Sequence, residues 1–406
     1  MIYEKAPFYV DAYLLAGDSM SRNLEWIHLN EPYMDSEILG HTLDRMNSFP
    51  FDSRVNLEFL MESFRETRLY RNVPRTYFLK SATNALEVAA LAMEIRKDDE
   101  IIMPSFTYAA TGNAFARQGA KLVFVDIEED TLNIDPKKIE DAITSKTRAI
   151  VPIHYGGISA DLRSIQKMAR DCGAMVLEDA AHCIDASFEG RALGTIGDLG
   201  CLSFHQTKNI TSGGSGGCLL VNNPSFLQGV DEIVHQGTDQ SAFRNETVPK
   251  YRWQRIGGEF EMTDYSMVYL AESLRKLDQV TERRVEIWNS YMAAFKPLEE
   301  KGDLKLARLP EYANNNGHIF YLLLPSEGIR NDLRRYLNEW KIEASSHYEP
   351  LHDTDIGRTV GVVRGSLSKT NEIRDRILRL PVHFNLSQEE LQRVIDNVLG
   401  FFKLKL

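Results

Sequence analysis

The chain has 406 residues, 43% of them hydrophobic and 26% charged, an ordinary globular balance with room for two domains, which excludes a disordered tail and a small disulfide scaffold. Lys and Arg number 47 against 58 Asp and Glu, a net charge of -11, so the surface is not built to collect nucleic acid or anionic lipid, and an anionic ligand needs a local site. No apolar run nears the roughly 20 residues of a membrane span, and the N-terminus (Met1, Glu4, Lys5, Asp11, Asp18) breaks the pattern of a signal peptide, so a soluble, cytoplasmic chain is expected.

The first fifty residues are irregular and read as an N-terminal arm, 1–50, with Phe49, Pro50 and Phe51 interrupting them before a helical run over 57–69. From about 76 to 222, short β-rich apolar runs alternate with helical patterns. Strands are predicted over 77–79, 100–103, 121–125, 149–153, 174–177, 201–204 and 218–221. Between them, Leu86, Ala89, Ala90 and Met93 share one face of a helix over 84–96. Asp135 and Pro136 open a helix over 137–143, and another covers 162–171. The pattern predicts an α/β fold, a mainly parallel seven-stranded sheet flanked by helices, filling a large domain over 51–263. After Thr263 a long helix, 264–298, leads into a smaller α+β domain over 264–406 that ends in a helix near 389–402. Cys172, Cys183, Cys201 and Cys218 have neither metal-ligand spacing nor the density of a disulfide framework, so they read as core residues, and no metal is expected.

Four segments carry chemistry. Ser203-Phe204-His205-Gln206-Thr207-Lys208-Asn209 follows a predicted strand and precedes Gly213-Gly214-Ser215-Gly216-Gly217. A lysine at the C-terminal end of a strand is placed to form a Schiff base with a carbonyl cofactor, although a lone lysine is usually a solvated charge and the glycines also suit a hairpin turn. The run lacks the spacing of a triphosphate loop. Asp179, in Val176-Leu177-Glu178-Asp179-Ala180-Ala181-His182, would face the same crevice, where a carboxylate can keep a pyridine nitrogen protonated. Helix capping by Glu178 and Asp179 is the plainer reading, and His182 is either a cofactor contact or an interior histidine. Lys80-Ser81-Ala82-Thr83-Asn84 joins a strand to a helix with free N–H groups suited to a phosphate, or is an ordinary N-cap. Tyr108, in Pro104-Ser105-Phe106-Thr107-Tyr108, can stack on a planar ring or simply pack.

With these segments in view, the chain from about Ile27 to its end resembles the DegT/DnrJ/EryC1/StrS group of fold-type I sugar aminotransferases. The resemblance is carried by 102–108, 178–182, Gly190-Arg191-Ala192-Leu193-Gly194, 203–209, His347-Tyr348-Glu349-Pro350-Leu351-His352 and Leu380-Pro381. It implies pyridoxal 5'-phosphate as cofactor, with pyridoxamine phosphate as its other form. Lys208 would be the Schiff-base lysine and Asp179 the partner of the pyridine nitrogen. His182 would lie near the ring oxygen, Tyr108 on the ring face, and Ala82, Thr83 and Ser203 at the phosphate. His347, His352 and His318 are candidates for the substrate side. The expected partners are L-glutamate, a nucleotide-linked keto sugar and a second copy of the chain in a homodimer.

Family members that aminate sugar C4 commonly read Ser-Phe-His-x-x-Lys, as here, which points to the C4 keto group of a 4-keto-6-deoxysugar such as dTDP-4-dehydro-6-deoxyglucose. The chain departs from the family in three places. Gly214-Ser215-Gly216-Gly217 lacks the usual glutamate, Gly257-Gly258-Glu259-Phe260-Glu261 replaces a segment whose asparagine reaches the partner's phosphate, and 1–26 and 49–75 follow no family pattern. These departures leave open a C3 keto sugar, another small ketone, or a noncatalytic binding module.

Overall fold

Residues with apolar side chains on alternate positions build the main sheet, and each face is covered by its own helices. The computed structural model describes residues 24–49, 52–73 and 75–404, so the first part of the expected arm, 1–23, lies outside the described residues. Strands β1 (Arg75–Leu79), β2 (Glu100–Pro104), β3 (Lys121–Val125), β4 (Thr147–Ile150) and β5 (Met175–Asp179) are followed by two short ones, β6 (Ser187–Phe188) and β7 (Arg191–Ala192). Then come β8 (Leu199–Ser203) and β9 (Gly217–Val221), and the later part of the chain supplies β10 (Lys305–Leu306), β11 (Ala313–Asn314), β12 (Phe320–Leu323), β13 (Gly361–Val363) and β14 (Ile377–Leu380).

The main sheet has eight strands in the order β1-β9-β8-β5-β4-β2-β3-β13, not the seven expected. The seven predicted strands are all present, and β9 is the one that runs antiparallel to its neighbours. The eighth, β13, comes from the region expected to form the second domain and pairs in parallel with β3 through Gly361 opposite Leu122. Three residues with only Val362 and Val363 as apolar side chains are too short to show a period of two, which is why the sequence does not announce this strand. Two three-stranded sheets, β10-β12-β14 and β11-β6-β7, complete the β-structure.

The helices are α1 (Ser36–Ser48), α2 (Ser53–Glu66), α3 (Ala82–Ala92), α4 (Ala109–Ala116), α5 (Pro136–Ala142), α6 (Leu162–Cys172), α7 (Leu227–Val234) and α8 (Gln240–Arg244). They continue with α9 (Asp264–Leu274), α10 (Leu277–Glu300), α11 (Glu327–Glu339), α12 (Asp355–Val360), α13 (Ser368–Arg376) and α14 (Gln388–Leu404). Leu79, Ile101, Met103, Leu122, Leu177 and Leu219 pack on one side of the sheet with Leu86 and Ala89 of α3, Phe115 of α4 and Val230 of α7. On the other side Phe78, Leu202 and Leu220 meet Leu60 and Phe64 of α2 and Leu270 of α9, while Ile102, Val123 and Val176 meet Ile139 of α5 and Ile165 of α6. Each such aliphatic side chain contributes about 1.5–3 kcal/mol on full burial. A third core joins β12 to α10, α11 and α14 through Phe320, Tyr291, Leu333 and Val398. Cys183, Cys201 and Cys218 are buried and Cys172 half-buried, all as free thiols.

Helix ends follow the chemistry expected of them. Asp135 accepts from the Lys137 N–H at 2.9 Å with Pro136 at the first helical position, and Ser81 caps α3 by accepting from the Asn84 N–H at 3.1 Å. Two expectations change. The predicted helix over 264–298 is two helices, α9 and α10, because the Lys276 N–H bonds back to Ser273 O at 3.0 Å in a tight turn while its side chain reaches Glu37 on α1. No glycine or proline marks this break. The described part of the arm is also more ordered than a bare arm: 36–48 is helical, and Ile27 pairs with Ile342 through backbone bonds of 2.8 and 2.9 Å.

Candidate active site

The parallel strands end on a common edge, and the loops there enclose a cavity of about 650 Å³, within the usual size of a cofactor or small-ligand site. Lys208, Asp179, His182, Tyr108, Ala82, Thr83, Ser203, His318 and His347 all line it. His352 does not: its ring nitrogen and its backbone N–H both bond to Ser105 Oγ, at 2.8 and 3.0 Å, so it braces the end of β2 from behind the cavity wall.

Lys208 sits in the turn between β8 and β9, with its N–H on His205 O at 2.8 Å. Burial lowers its pKa to about 8, against the opposing pull of Asp179. Asp179 closes β5; its Oδ2 accepts from Thr111 Oγ1 at 2.7 Å and its Oδ1 from the Ala181 N–H at 3.2 Å. The carboxylate is therefore held from both sides at the cavity edge. Glu178 does not cap a helix, contrary to the plainer reading. It is fully buried and accepts from the Gly194, Ile196 and Gly197 N–H groups at 2.9, 2.7 and 2.6 Å and from His154 Nε2 at 3.0 Å. Burial pushes its pKa up, but His154 and these backbone donors outweigh that and hold it below the ordinary value.

The glycine run serves close approach as much as turning. A Cβ on Gly217 would stand 2.3 Å from the Ala82 nitrogen, so β9 passes directly under the N-terminus of α3. Ser81 Oγ takes the Asn84 N–H, and the Ala82 and Thr83 N–H groups at this helix start are left to face the cavity with no partner among the described residues, an arrangement suited to a phosphate. Glu259, the departure from the family pattern, is turned onto Lys80, whose Nζ donates to its carbonyl at 3.0 Å and to its Oε1 at 3.2 Å.

The histidines are held neutral. His182 Nδ1 accepts from the Gly156 N–H at 3.2 Å, leaving the ring proton on Nε2, and burial, Lys208 and His347 push its pKa well down. His318 packs its ring 4.5 Å from that of His182, and burial, with His182, Lys208 and Arg284 in support, lowers it strongly. His347 bonds to the Tyr155 hydroxyl at 3.1 Å and stacks on Tyr348. Several contributors have no motif of their own in the sequence. Arg284 on α10 is fully buried and donates to the carbonyls of Gly317 and His318 at 3.2 and 3.0 Å. Asn316 donates to His182 O at 2.8 Å, and Thr111 is legible only once Asp179 is known. Arg379 also lines the cavity; its one signal is its place before Leu380-Pro381.

The chain is similar to known proteins in sequence and in fold. The chain is 32% identical to an uncharacterised protein of Methanocaldococcus jannaschii over 81% of this chain and 87% of that one. It is 30% identical to the spore coat polysaccharide biosynthesis protein SpsC of Bacillus subtilis over 80% and 85%. Among solved structures, an aminotransferase from Psychrobacter cryohalolentis superposes with a TM-score of 0.85 at 24% identity over 92% of this chain and 98% of that one. Spr1654 of Streptococcus pneumoniae, described as a sugar aminotransferase and solved in PLP and PMP forms, superposes at 0.82 in the PMP form, with 24% identity over 94% and 100%. The likeness to these two structures is one of fold, the fold-type I aminotransferase arrangement expected from the sequence. The DegT/DnrJ/EryC1/StrS aminotransferase family model matches residues 64–399, and the chain belongs to that family.

Proposed function

We propose that the protein is a pyridoxal phosphate-dependent enzyme that moves an amino group from L-glutamate to the C4 keto group of a nucleotide-linked 4-keto-6-deoxysugar, with dTDP-4-dehydro-6-deoxyglucose as the leading substrate, in the cytoplasmic synthesis of amino sugars for lipopolysaccharide O-antigen or a related glycan. The observation that carries this reading is a half-buried lysine of lowered pKa sharing one cavity with a buried carboxylate and a free helix N-terminus. SpsC, a relative named for polysaccharide biosynthesis, supports the glycan setting.

The residues present fit the cofactor. The Ala82 and Thr83 N–H groups and Ser203 Oγ would hold its phosphate, Asp179 would face its ring nitrogen, His182 Nε2–H would reach its ring oxygen, and Tyr108, exposed at the cavity mouth, would cover a face of the ring. When bound, the cofactor supplies an electron sink for the charge left at a carbon that loses a proton. Asp179, its carboxylate oriented by Thr111 and the Ala181 N–H, would keep a proton on the ring nitrogen. Lys208 would hold the cofactor between turnovers and, as a free amine, would take a proton from the donor's α-carbon in one half-reaction and give one to the sugar carbon in the other. With a pKa near 8, roughly a tenth of such an amine is unprotonated at pH 7, against less than a thousandth for an ordinary lysine. His182, His318 and His347, kept neutral, add no positive charge to compete with the proton on Lys208. A homodimer is part of this proposal; Trp253 at 74% exposed and Ile256 at 66%, beside the segment that reaches the partner in the family, suit a covered surface better than water.

The test supplies L-glutamate with a panel of dTDP-, UDP- and GDP-linked keto sugars and identifies the product by mass and NMR. Amination at C4 of a 6-deoxy sugar is expected. Amination only at C3, which the departures at Glu259 and 49–75 would favour, or of no nucleotide sugar, overturns the substrate assignment.

A further inference from the structure

One wall of the cavity does not belong to the main sheet. Residues 27–31 form a strap that lies along 341–343 and 382–385. The Ile27 N–H bonds to Lys341 O at 2.8 Å, the Glu343 N–H to Ile27 O at 2.9 Å and the Val382 N–H to Leu29 O at 3.3 Å, while Glu343 Oε2 accepts from the Leu29 N–H at 3.0 Å. Beyond it, Tyr33 sets its ring edge-on to Phe384 at 4.8 Å. Leu29 and Asn30 line the cavity, and Asn30 Nδ2 donates to the carbonyl of Thr207, the residue before Lys208. The strap therefore supplies a stretch of wall and a tether for the lysine turn.

His383 lies against this strap. Its imidazole is buried, and neither ring nitrogen has a hydrogen-bond partner among the described residues. A neutral imidazole carries one N–H and one lone pair, so both are unmet where an apolar ring of the same shape would cost less. The side chain does not line the cavity, so the chemistry there does not explain it.

Charged groups face His383 from three elements. Glu31 of the strap places Oε2 3.8 Å from Nδ1, within ion-pairing distance but beyond a hydrogen bond, and accepts from Asn385 Nδ2 at 3.4 Å. Arg284 of α10 brings a buried positive charge, and Glu390 of α14 a negative one that is engaged with the Ser387 N–H and hydroxyl at 2.9 Å. Burial is the largest influence; Glu31 and Glu390 oppose it, Arg284 adds to it, and the imidazole is held below its ordinary pKa. His28, also on the strap, pairs with Glu343 at 3.5 Å, but both side chains are about half exposed and such a pair adds little. With the strap in place, then, His383 takes a proton poorly. With the strap lifted it meets water, where an imidazole takes a proton near pH 6.5. Protons bind the lifted form better, so the hold of the strap is full above about pH 6.5 and weakens as pH falls.

We propose that His383 is a positioning residue that makes the strap 27–31 a proton-sensitive wall of the active site: neutral, it lets the strap close on the cavity and steady the lysine turn through Asn30, and charged, it releases both. The proposal goes beyond the transaminase reading and does not depend on which substrates the cavity takes.

The experiment follows backbone hydrogen exchange by mass spectrometry on the full chain at pH 7.5 and pH 5.5, corrected for the intrinsic pH dependence of exchange, in wild type, His383→Phe, His383→Gln and His28→Gln. Linkage to one imidazole limits the effect to about tenfold at pH 5.5. Peptides covering 24–34 are expected to lose about three- to tenfold in protection in wild type and in His28→Gln, against less than about twofold in both His383 variants and in peptides from α6. Peptides covering 204–212 are expected to lose about twofold or more alongside the strap. The ratio of kcat/KM for L-glutamate, wild type over His383→Phe, is expected to fall by a similar factor over the same range, since the titration of Lys208 is common to both. Strap protection that tracks α6, an equal loss in a folded His383 variant, or a response abolished by His28→Gln overturns the proposal. A strap that opens while 204–212 keeps its protection overturns the positioning role. If the exchange response is present but L-glutamate converts no cofactor, the strap stands and the donor assignment fails.

Discussion

His318 donates Nδ1–H to Asn209 Oδ1 at 2.7 Å, and Asn209 is the residue that follows Lys208. The donor sense is fixed because the Asn209 amide N–H is spent on Asn316 O at 3.0 Å, which leaves its carbonyl oxygen facing the imidazole. Arg284 holds the Gly317–His318 segment through both carbonyls, so the residue beside the reacting lysine is braced by two buried side chains from outside its own loop, His318 directly and Arg284 behind it. His318→Phe keeps a ring of similar size but strands the Asn209 oxygen in the interior. A stability loss of about 1–3 kcal/mol is expected by urea unfolding, with a lower kcat. The double variant with Asn209→Ala should lose less than the sum of the two single losses, because both remove one bond; strict additivity would show that the pair is not coupled.

The lowered pKa of Lys208 has a direct chemical reading. Only the unprotonated amine attacks an aldehyde, so its rate of reaction with pyridoxal phosphate should rise with pH and level off above about 8, more than two units below an ordinary lysine. Borohydride trapping at a series of pH values measures this. A midpoint near 10 would mean that burial does not act on this amine as described.

Glu178 gives a pH effect of the opposite kind. Its folded-state pKa lies below its unfolded value, so it stabilises the fold above about pH 4.3 and loses that contribution as pH falls through the folded value. Glu178→Gln would face three backbone N–H groups and His154 with one carbonyl oxygen and an extra amide donor. A destabilisation of about 3–5 kcal/mol is expected at pH 7, shrinking as both proteins are taken below pH 4. A gap that stays constant with pH would show that the carboxylate is not the charged form in the fold.

Gly217→Ala tests the phosphate cradle. The added methyl group would meet the Ala82 nitrogen at 2.3 Å, against backbone rather than a flexible side-chain end. The start of α3 has to shift, and a drop of tenfold or more in affinity for pyridoxal phosphate is expected by fluorescence titration, with circular dichroism reporting whether the fold persists. Unchanged affinity in a folded variant would separate this helix start from the cofactor.

Much of the framework was legible because burial on two faces writes a simple code. Ile101 and Met103 look one way and Ile102 the other, and the same alternation marks β3 and β9. Asp179 and Ser203, at the ends of β5 and β8, and the lysine just beyond lie together at one edge of the sheet. What escaped was set by contacts between distant segments. His352 stands in a motif shared with His347, but a 2.8 Å bond to Ser105 turns it behind the wall while His347 stays in the cavity. Glu178 looks like a cap beside Asp179, and only the loop at 194–197 reveals it as a buried acceptor. Lys80 finds Glu259 because 259–262 lies along β1, with the Lys80 N–H on Phe260 O at 2.9 Å. None of these pairings leaves a local pattern in the chain.

The most direct test of the account is chemical. The purified protein is incubated with pyridoxal phosphate, reduced with borohydride, digested, and its peptides are sequenced by mass spectrometry, in parallel with Lys208→Ala. A single phosphopyridoxyl group on Lys208, absent from the variant, is the expected result. A modified lysine elsewhere, or no stable adduct in wild type, would contradict the assignment of this cavity.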